Sequence, residues 1–266
     1  MMRVMAAALI LLAAGCKSVQ TTQPGAVGVE RKQSMLVSSD TVNRSADKAY
    51  QQVLSDAQKK GQLDHDAAQL ARVRGVAQRL IPRSGAFRQD APGWNWEVHL
   101  ISANDLNAWC MPGGKIAFYT GLIERLQLSD EEMAAVMGHE IAHALREHGR
   151  ERVSKAYAQS IGLTVVAVAL GASSAALDLS RLVLDVTFNL PNSRIDEQEA
   201  DRIGVELAAR GGYDPRAAIS LWQKMQQAGG SKPPQFLSTH PSTETRLADL
   251  KVYAERVMPL YQQARR

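Results

Sequence analysis

The sequence predicts an α+β fold that is mainly helical and carries one small sheet. Three observations support this. Apolar residues recur at helical spacing over much of the chain, as in Leu70, Val73, Ala77 and Leu80. One short stretch, Trp94 to Ile101, alternates apolar and polar residues instead. The 266 residues are 45% hydrophobic and 22% charged, a composition that folds around a core without needing disulfides. The net charge of +4 is modest and the basic residues are dispersed, so nothing points to nucleic acid.

The N-terminus reads as an address. Met1-Met2-Arg3 gives a positive start, and Val4 to Ala14 is an uncharged apolar run too short to span a bilayer. It ends in Leu12-Ala13-Ala14-Gly15-Cys16, which resembles the bacterial lipobox, whose Cys becomes the lipidated first residue. Leu12 stands one place earlier than that pattern prefers, with Ala13 in its position. The expectation is a signal peptide over 1–15 and an acyl anchor on Cys16; the alternative is plain cleavage near Ala14. By resemblance to lipoprotein sorting, Lys17 implies the periplasmic side of the outer membrane, and plain cleavage implies a soluble periplasmic protein. The second cysteine, Cys110, then has no partner and reads as a small buried residue.

Residues 16–45 are rich in Ser, Thr, Gln and Gly and read as a lipid-anchored tether, leaving 46–266 as the folded domain. Helical spacing runs from Ala46 to Leu80, divided at Gly61 and stopped by Pro82. Strands are expected at Trp94–Ile101, Ala103–Trp109 and Lys115–Tyr119, the last two separated by Pro112-Gly113-Gly114, with a short helix from Leu122 to Leu126. Ser129-Asp130-Glu131-Glu132 is a capping box that starts a long helix reaching Gly149. Ile161–Leu177 is uncharged, but its small polar residues and glycines favour a buried or hairpin helix over a membrane span. Further helices are expected at Arg194–Arg210, Arg216–Ala228 and Ser242–Tyr261. No 34-residue helical repeat is present.

His139-Glu140-Ile141-Ala142-His143 lies inside the capped helix. Residues four apart share a helix face, so both imidazoles can point at one metal ion. Glu140 lies about 100° around the helix and can reach the attacking water without ligating. A catalytic zinc wants a third protein ligand. Candidates stand in Glu197-Gln198-Glu199-Ala200-Asp201, where Glu197 and Asp201 share a face and one carboxylate can ligate while another accepts from a ligand imidazole. His148 would sit about 140° off the ligand face of one continuous helix and is not counted as a ligand. His65 and His99 read as surface or structural residues.

From Trp94 to the end, these motifs in this order resemble the gluzincin metallopeptidases of the HtpX, Oma and CAAX-prenyl-protease family, most of all the soluble bacterial periplasmic lipoprotein members. The resemblance implies a zincin fold whose edge strand borders the active-site cleft, and one zinc per chain. In that family the third ligand is the Glu of E-x-x-A-D, which selects Glu197 and gives Asp201 the hydrogen-bonding role. Asn107-Ala108 resembles the edge-strand pair beside which an extended substrate lies. His240-Pro241 with Arg246 resembles the H-P-x-x-x-x-R element. There the His either stabilises the oxyanion or caps zinc in a latent enzyme, and Arg246 can pair with a carboxylate at the site floor.

The implied activity is a zinc-dependent endopeptidase acting on unfolded or misassembled cell-envelope proteins, with the outer-membrane assembly machinery as a further partner. The alternative from another class is an outer-membrane protein assembly chaperone that keeps a latent zinc site.

Overall fold

The computed structural model describes residues 17–169, 178–228, 234–241 and 245–266. The signal peptide over 1–15 and Cys16 lie outside the described residues. In chain order the elements are β1 (Lys17–Val19), β2 (Gln33–Met35), α1 (Ser39–Lys59), α2 (Ala67–Leu80), β3 (Glu97–Ile101), β4 (Ala108–Met111), β5 (Lys115–Tyr119), α3 (Thr120–Arg125), α4 (Asp130–Leu145), α5 (His148–Ala169), α6 (Leu179–Phe188), α7 (Arg194–Arg210), α8 (Ala217–Ala228), α9 (Gln235–Thr239) and α10 (Arg246–Ala264). The fold is the expected mainly helical α+β type.

The main sheet has the order β3-β5-β4, with β3 parallel and β4 antiparallel to β5. The strand expected at 103–109 starts only at Ala108, and the one expected at 94–101 starts at Glu97. Both sheet faces are covered. Leu100, Ala108, Ile116 and Phe118 join the main core, with Met133, Met137, Ile141 and Leu207 from α4 and α7. Ile101, Trp109, Met111 and Ala117 meet Val42, Ala46 and Tyr50 of α1, together with Val183 and Val186 of α6. Strand β4 is therefore an edge in hydrogen bonding while its side chains are buried.

The expected tether is folded. Val29, Gln33, Met35 and Val37 are buried while Glu30, Lys32 and Ser34 between them are exposed, the alternation of an extended segment packed on one face. Val27 and Val29 enter the main core. Gly25 adopts φ +63°, and a Cβ there would lie 2.6 Å from Glu206 Oε2, so only glycine lets the backbone pass so close to α7. The Val27 N–H donates to the same carboxylate at 3.0 Å. Helix α1 then begins at Ser39, well before the expected boundary at 46.

The capping box of α4 is present, with both Ser129 and Glu132 bonds made. The helix does not reach Gly149. It stops at Leu145, and Glu147 takes φ +52° before α5 begins at His148. Helix α5 runs to Ala169; the rest of the apolar stretch expected through Leu177 lies outside the described residues. Among the described residues, no helix is long and apolar enough to cross a membrane.

Candidate metal centre

Two helices bring the candidate ligands together. His139 and His143 stand one turn apart on α4, and Glu197 and Asp201 one turn apart on α7. The helices meet backbone to backbone at Gly138 and Gly204. Helix α7 starts in its own capping box, Ser193 with Asp196, which fixes the first turn that carries Glu197. His240 follows α9 and stacks on Phe236, ring centroids 4.4 Å apart.

Four donor atoms converge. His139 Nε2 lies 3.1 Å from His143 Nε2 and 3.1 Å from His240 Nδ1. Glu197 places Oε1 3.2 Å from His143 Nε2 and 3.0 Å from His240 Nδ1, and Oε2 3.5 Å from His139 Nε2. Zinc bonds of 2.0–2.2 Å give tetrahedron edges of about 3.3–3.6 Å, so donors at 3.0–3.5 Å need to spread by only a few tenths of an ångström to hold a tetrahedral ion. The other ring nitrogens of the two helix histidines are engaged elsewhere. His139 Nδ1 lies 3.0 Å from Asp201 Oδ1, and His143 Nδ1 lies 2.9 Å from His148 Nδ1. Arg246 anchors the floor, donating to Glu197 Oε2 at 3.0 Å and Asp201 Oδ1 at 2.6 Å.

The electrostatics suit a cation. Burial disfavours charge on His139, yet Glu197 and Asp201 outweigh it and draw the imidazole up to about 9. Burial holds His143 neutral, its pKa well below the usual histidine range. Burial opposes charge on Glu197 too, but His240 and His139 hold that carboxyl well below the usual range. The pocket thus offers an ionised carboxylate and attracts positive charge, which a divalent ion among the donors supplies.

Glu140 is buried beside the four donors. Its Oε2 accepts the Cys110 N–H of β4 at 3.2 Å. Its Oε1 has no hydrogen-bond partner among the described residues, with His240 Nε2 3.4 Å away. Burial raises the Glu140 carboxyl above its ordinary value, towards the range useful to a general base.

Asn107 and Ala108 border the cleft without lining it; Trp109 and Cys110 line it. The Asn107 carbonyl is committed to the Tyr119 N–H. By strand alternation the backbone of Ala108 and Cys110 faces the free edge, where an added strand would pair. Cys110 is free and half-buried in the cleft wall, not fully buried as expected. The cleft is walled by Val183, Val186 and Thr187 of α6 together with His240.

His148, set aside as a ligand, does not ligate, but it touches one. The break at Glu147 turns it back onto His143, which a continuous helix would forbid. Its Nε2 lies 3.0 Å from Glu199 Oε2. No local sequence signal announced that break.

A family model described as peptidase family M48 matches residues 67–254. The mitochondrial metalloendopeptidase OMA1 of Schizosaccharomyces pombe is 33% identical over 217 residues, 81% of this chain and 61% of that protein. The Arabidopsis thaliana mitochondrial metalloendopeptidase OMA1 is 37% identical over 169 residues, 62% of this chain and 34% of its own length. The beta-barrel assembly-enhancing protease of Escherichia coli K12 is 33% identical over 203 residues, 72% of this chain and 40% of that protein. The chain thus spans between 34% and 61% of the lengths of these relatives.

Proposed function

This chain belongs to peptidase family M48, and from that premise we propose that it is a zinc-dependent endopeptidase cleaving unfolded or misassembled envelope proteins. The single observation that carries the reading is the unpartnered, buried Glu140 Oε1 beside four converging donors. His139, His143 and Glu197 would hold the ion, and His240 would be its fourth donor. Bound zinc supplies Lewis acidity towards water and the scissile carbonyl.

The chain's own residues do the rest. Glu140 takes the proton of the attacking water at Oε1, while the Cys110 N–H holds its other oxygen. Glu140 then delivers the proton to the leaving amine. Substrate lies extended along β4, pairing with the Ala108 backbone. Asp201 accepts from His139 Nδ1 and fixes the tautomer that presents Nε2. His240 would occupy the position that a water needs, and would have to leave it for substrate to enter.

The substrate class is supported by the likeness to the Escherichia coli beta-barrel assembly-enhancing protease. We place the protein on the periplasmic side of the outer membrane through acylated Cys16; palmitate labelling lost in Cys16→Ser tests the anchor. The place of His240 among the donors favours a second reading, an assembly chaperone with a latent zinc site. Incubation of an unfolded outer-membrane β-barrel protein with His240→Ala and with His240→Ala/Glu140→Gln separates the two. Fragments from the single variant alone support the peptidase. Binding by both without fragments supports the chaperone.

A further inference from the structure

We propose that Arg31, on the extended N-terminal segment, is a positioning residue for the metal ligand His143, acting through Glu199 and His148. The inference rests on the metal-site reading above. It adds that a segment outside the family-matched residues 67–254 completes the site.

The chain of contacts is continuous from Arg31 to His143. Arg31 Nε donates to Glu199 Oε1 at 2.7 Å and Nη2 to Oε2 at 3.2 Å, the paired geometry of a guanidinium fork on a carboxylate. Glu199 Oε2 also receives Arg146 Nε at 2.9 Å. A carboxylate so held only accepts, so His148 Nε2 donates to it at 3.0 Å. His148 Nδ1 in turn lies 2.9 Å from His143 Nδ1, so the ring held by Glu199 bears directly on the ring of the ligand. His143 thereby turns its other nitrogen, Nε2, towards Glu197 and His139. Each link restricts the rotation of the next side chain.

Arg31 is built into place. It occupies an inward position of the alternating row Val29, Gln33, Met35 and Val37, and its Nη atoms also reach Glu151 at 3.0 Å and Asp196 at 2.8 Å. His148, Asp196 and Glu199 lie close enough together to suggest a second metal site. The Arg31 guanidinium already sits on both carboxylates, so that cluster is an ion-pair network and not a cation site.

The test is zinc affinity of the full chain, by chelator competition, for wild type, Arg31→Gln, Arg31→Lys, His148→Phe and the Arg31→Gln/His148→Phe double variant. The cobalt-substituted visible spectrum and the unfolding midpoint of each metal-free protein are recorded alongside. The relay predicts roughly 10–100-fold weaker zinc binding in each of Arg31→Gln and His148→Phe, with a shifted cobalt spectrum. It predicts a double variant no weaker than the worse single one. Arg31→Lys, which keeps charge but loses the fork, falls between wild type and Arg31→Gln. Zinc affinity of Arg31→Gln within twofold of wild type overturns the relay and leaves the metal site standing, as do losses that simply multiply in the double variant. If Arg31→Gln does not fold, Arg31→Lys decides by the same twofold criterion, because it loses the fork on Glu199 while keeping the charge. A wild type that binds no zinc removes the underlying site as well.

Discussion

Gly138 and Gly204 bring the two ligand-bearing helices into direct backbone contact. A Cβ on Gly138 would lie 2.7 Å from the Gly204 carbonyl oxygen, and one on Gly204 would lie 2.8 Å from the His139 backbone nitrogen. The obstructing atoms are main chain and cannot swing aside. Gly204→Ala must therefore push α7 from α4 and carry Glu197 away from His139 and His143. The expected result is a loss of about 1–3 kcal/mol in the metal-free protein, read by urea unfolding, together with weakened zinc binding in a metal titration.

Asp201 links the His139 imidazole to Arg246, at 3.0 and 2.6 Å. Asp201→Asn removes the charge that both partners use. Zinc affinity should fall by roughly 10–100-fold in a chelator competition while the fold is retained. Affinity equal to that of the wild type would separate Asp201 from the metal site.

The capped helix, the two histidines on one face, Glu140 beside them and the pairing of Glu197 with Asp201 all follow from spacing, because helical geometry converts sequence separation directly into direction. What spacing could not give was the break after α4. Glu147 is neither Gly nor Asn, the usual residues at positive φ, so a continuous helix was the natural expectation and His148 was placed off the ligand face. The N-terminal segment is hidden from a sequence reading for a different reason. Its alternation is visible at Val29, Met35 and Val37, but Arg31 and Gln33 fill inward positions in the same row and conceal it. They are tolerated there because Glu151, Asp196 and Glu199 supply charge and hydrogen bonds from α5 and α7.

His240 places Nδ1 within 3.1 Å of two donors, filling the corner a catalytic water would need. His240→Ala should keep one zinc per chain and raise the rate of casein hydrolysis, measured by release of soluble peptides. A fall in rate with zinc retained would instead assign His240 to oxyanion stabilisation.

Glu151 gives the pH dependence of the N-terminal clasp. Burial alone would raise its carboxyl, but hydrogen bonds from Arg31, Gln33 and Lys155 outweigh burial and hold it at about 2, against an ordinary 4.5. Its folded value is depressed, so its contribution to stability is full above the unfolded value and is lost as pH falls towards 2. In urea unfolding, the deficit of Glu151→Gln relative to wild type should be largest near neutrality and should shrink below about pH 4. A deficit that stays constant down to pH 3 would mean that the carboxylate's charge is not what holds the segment.

The central claim is that Glu140 is the general base at a zinc held by His139, His143 and Glu197. The most direct test measures zinc content and casein hydrolysis together on His240→Ala and on His240→Ala/Glu140→Gln, so that the cap does not mask activity. The account predicts one zinc per chain in both proteins, with hydrolysis at least about 10²-fold slower in the second. A zinc-free protein, or equal hydrolysis by the two, would contradict it.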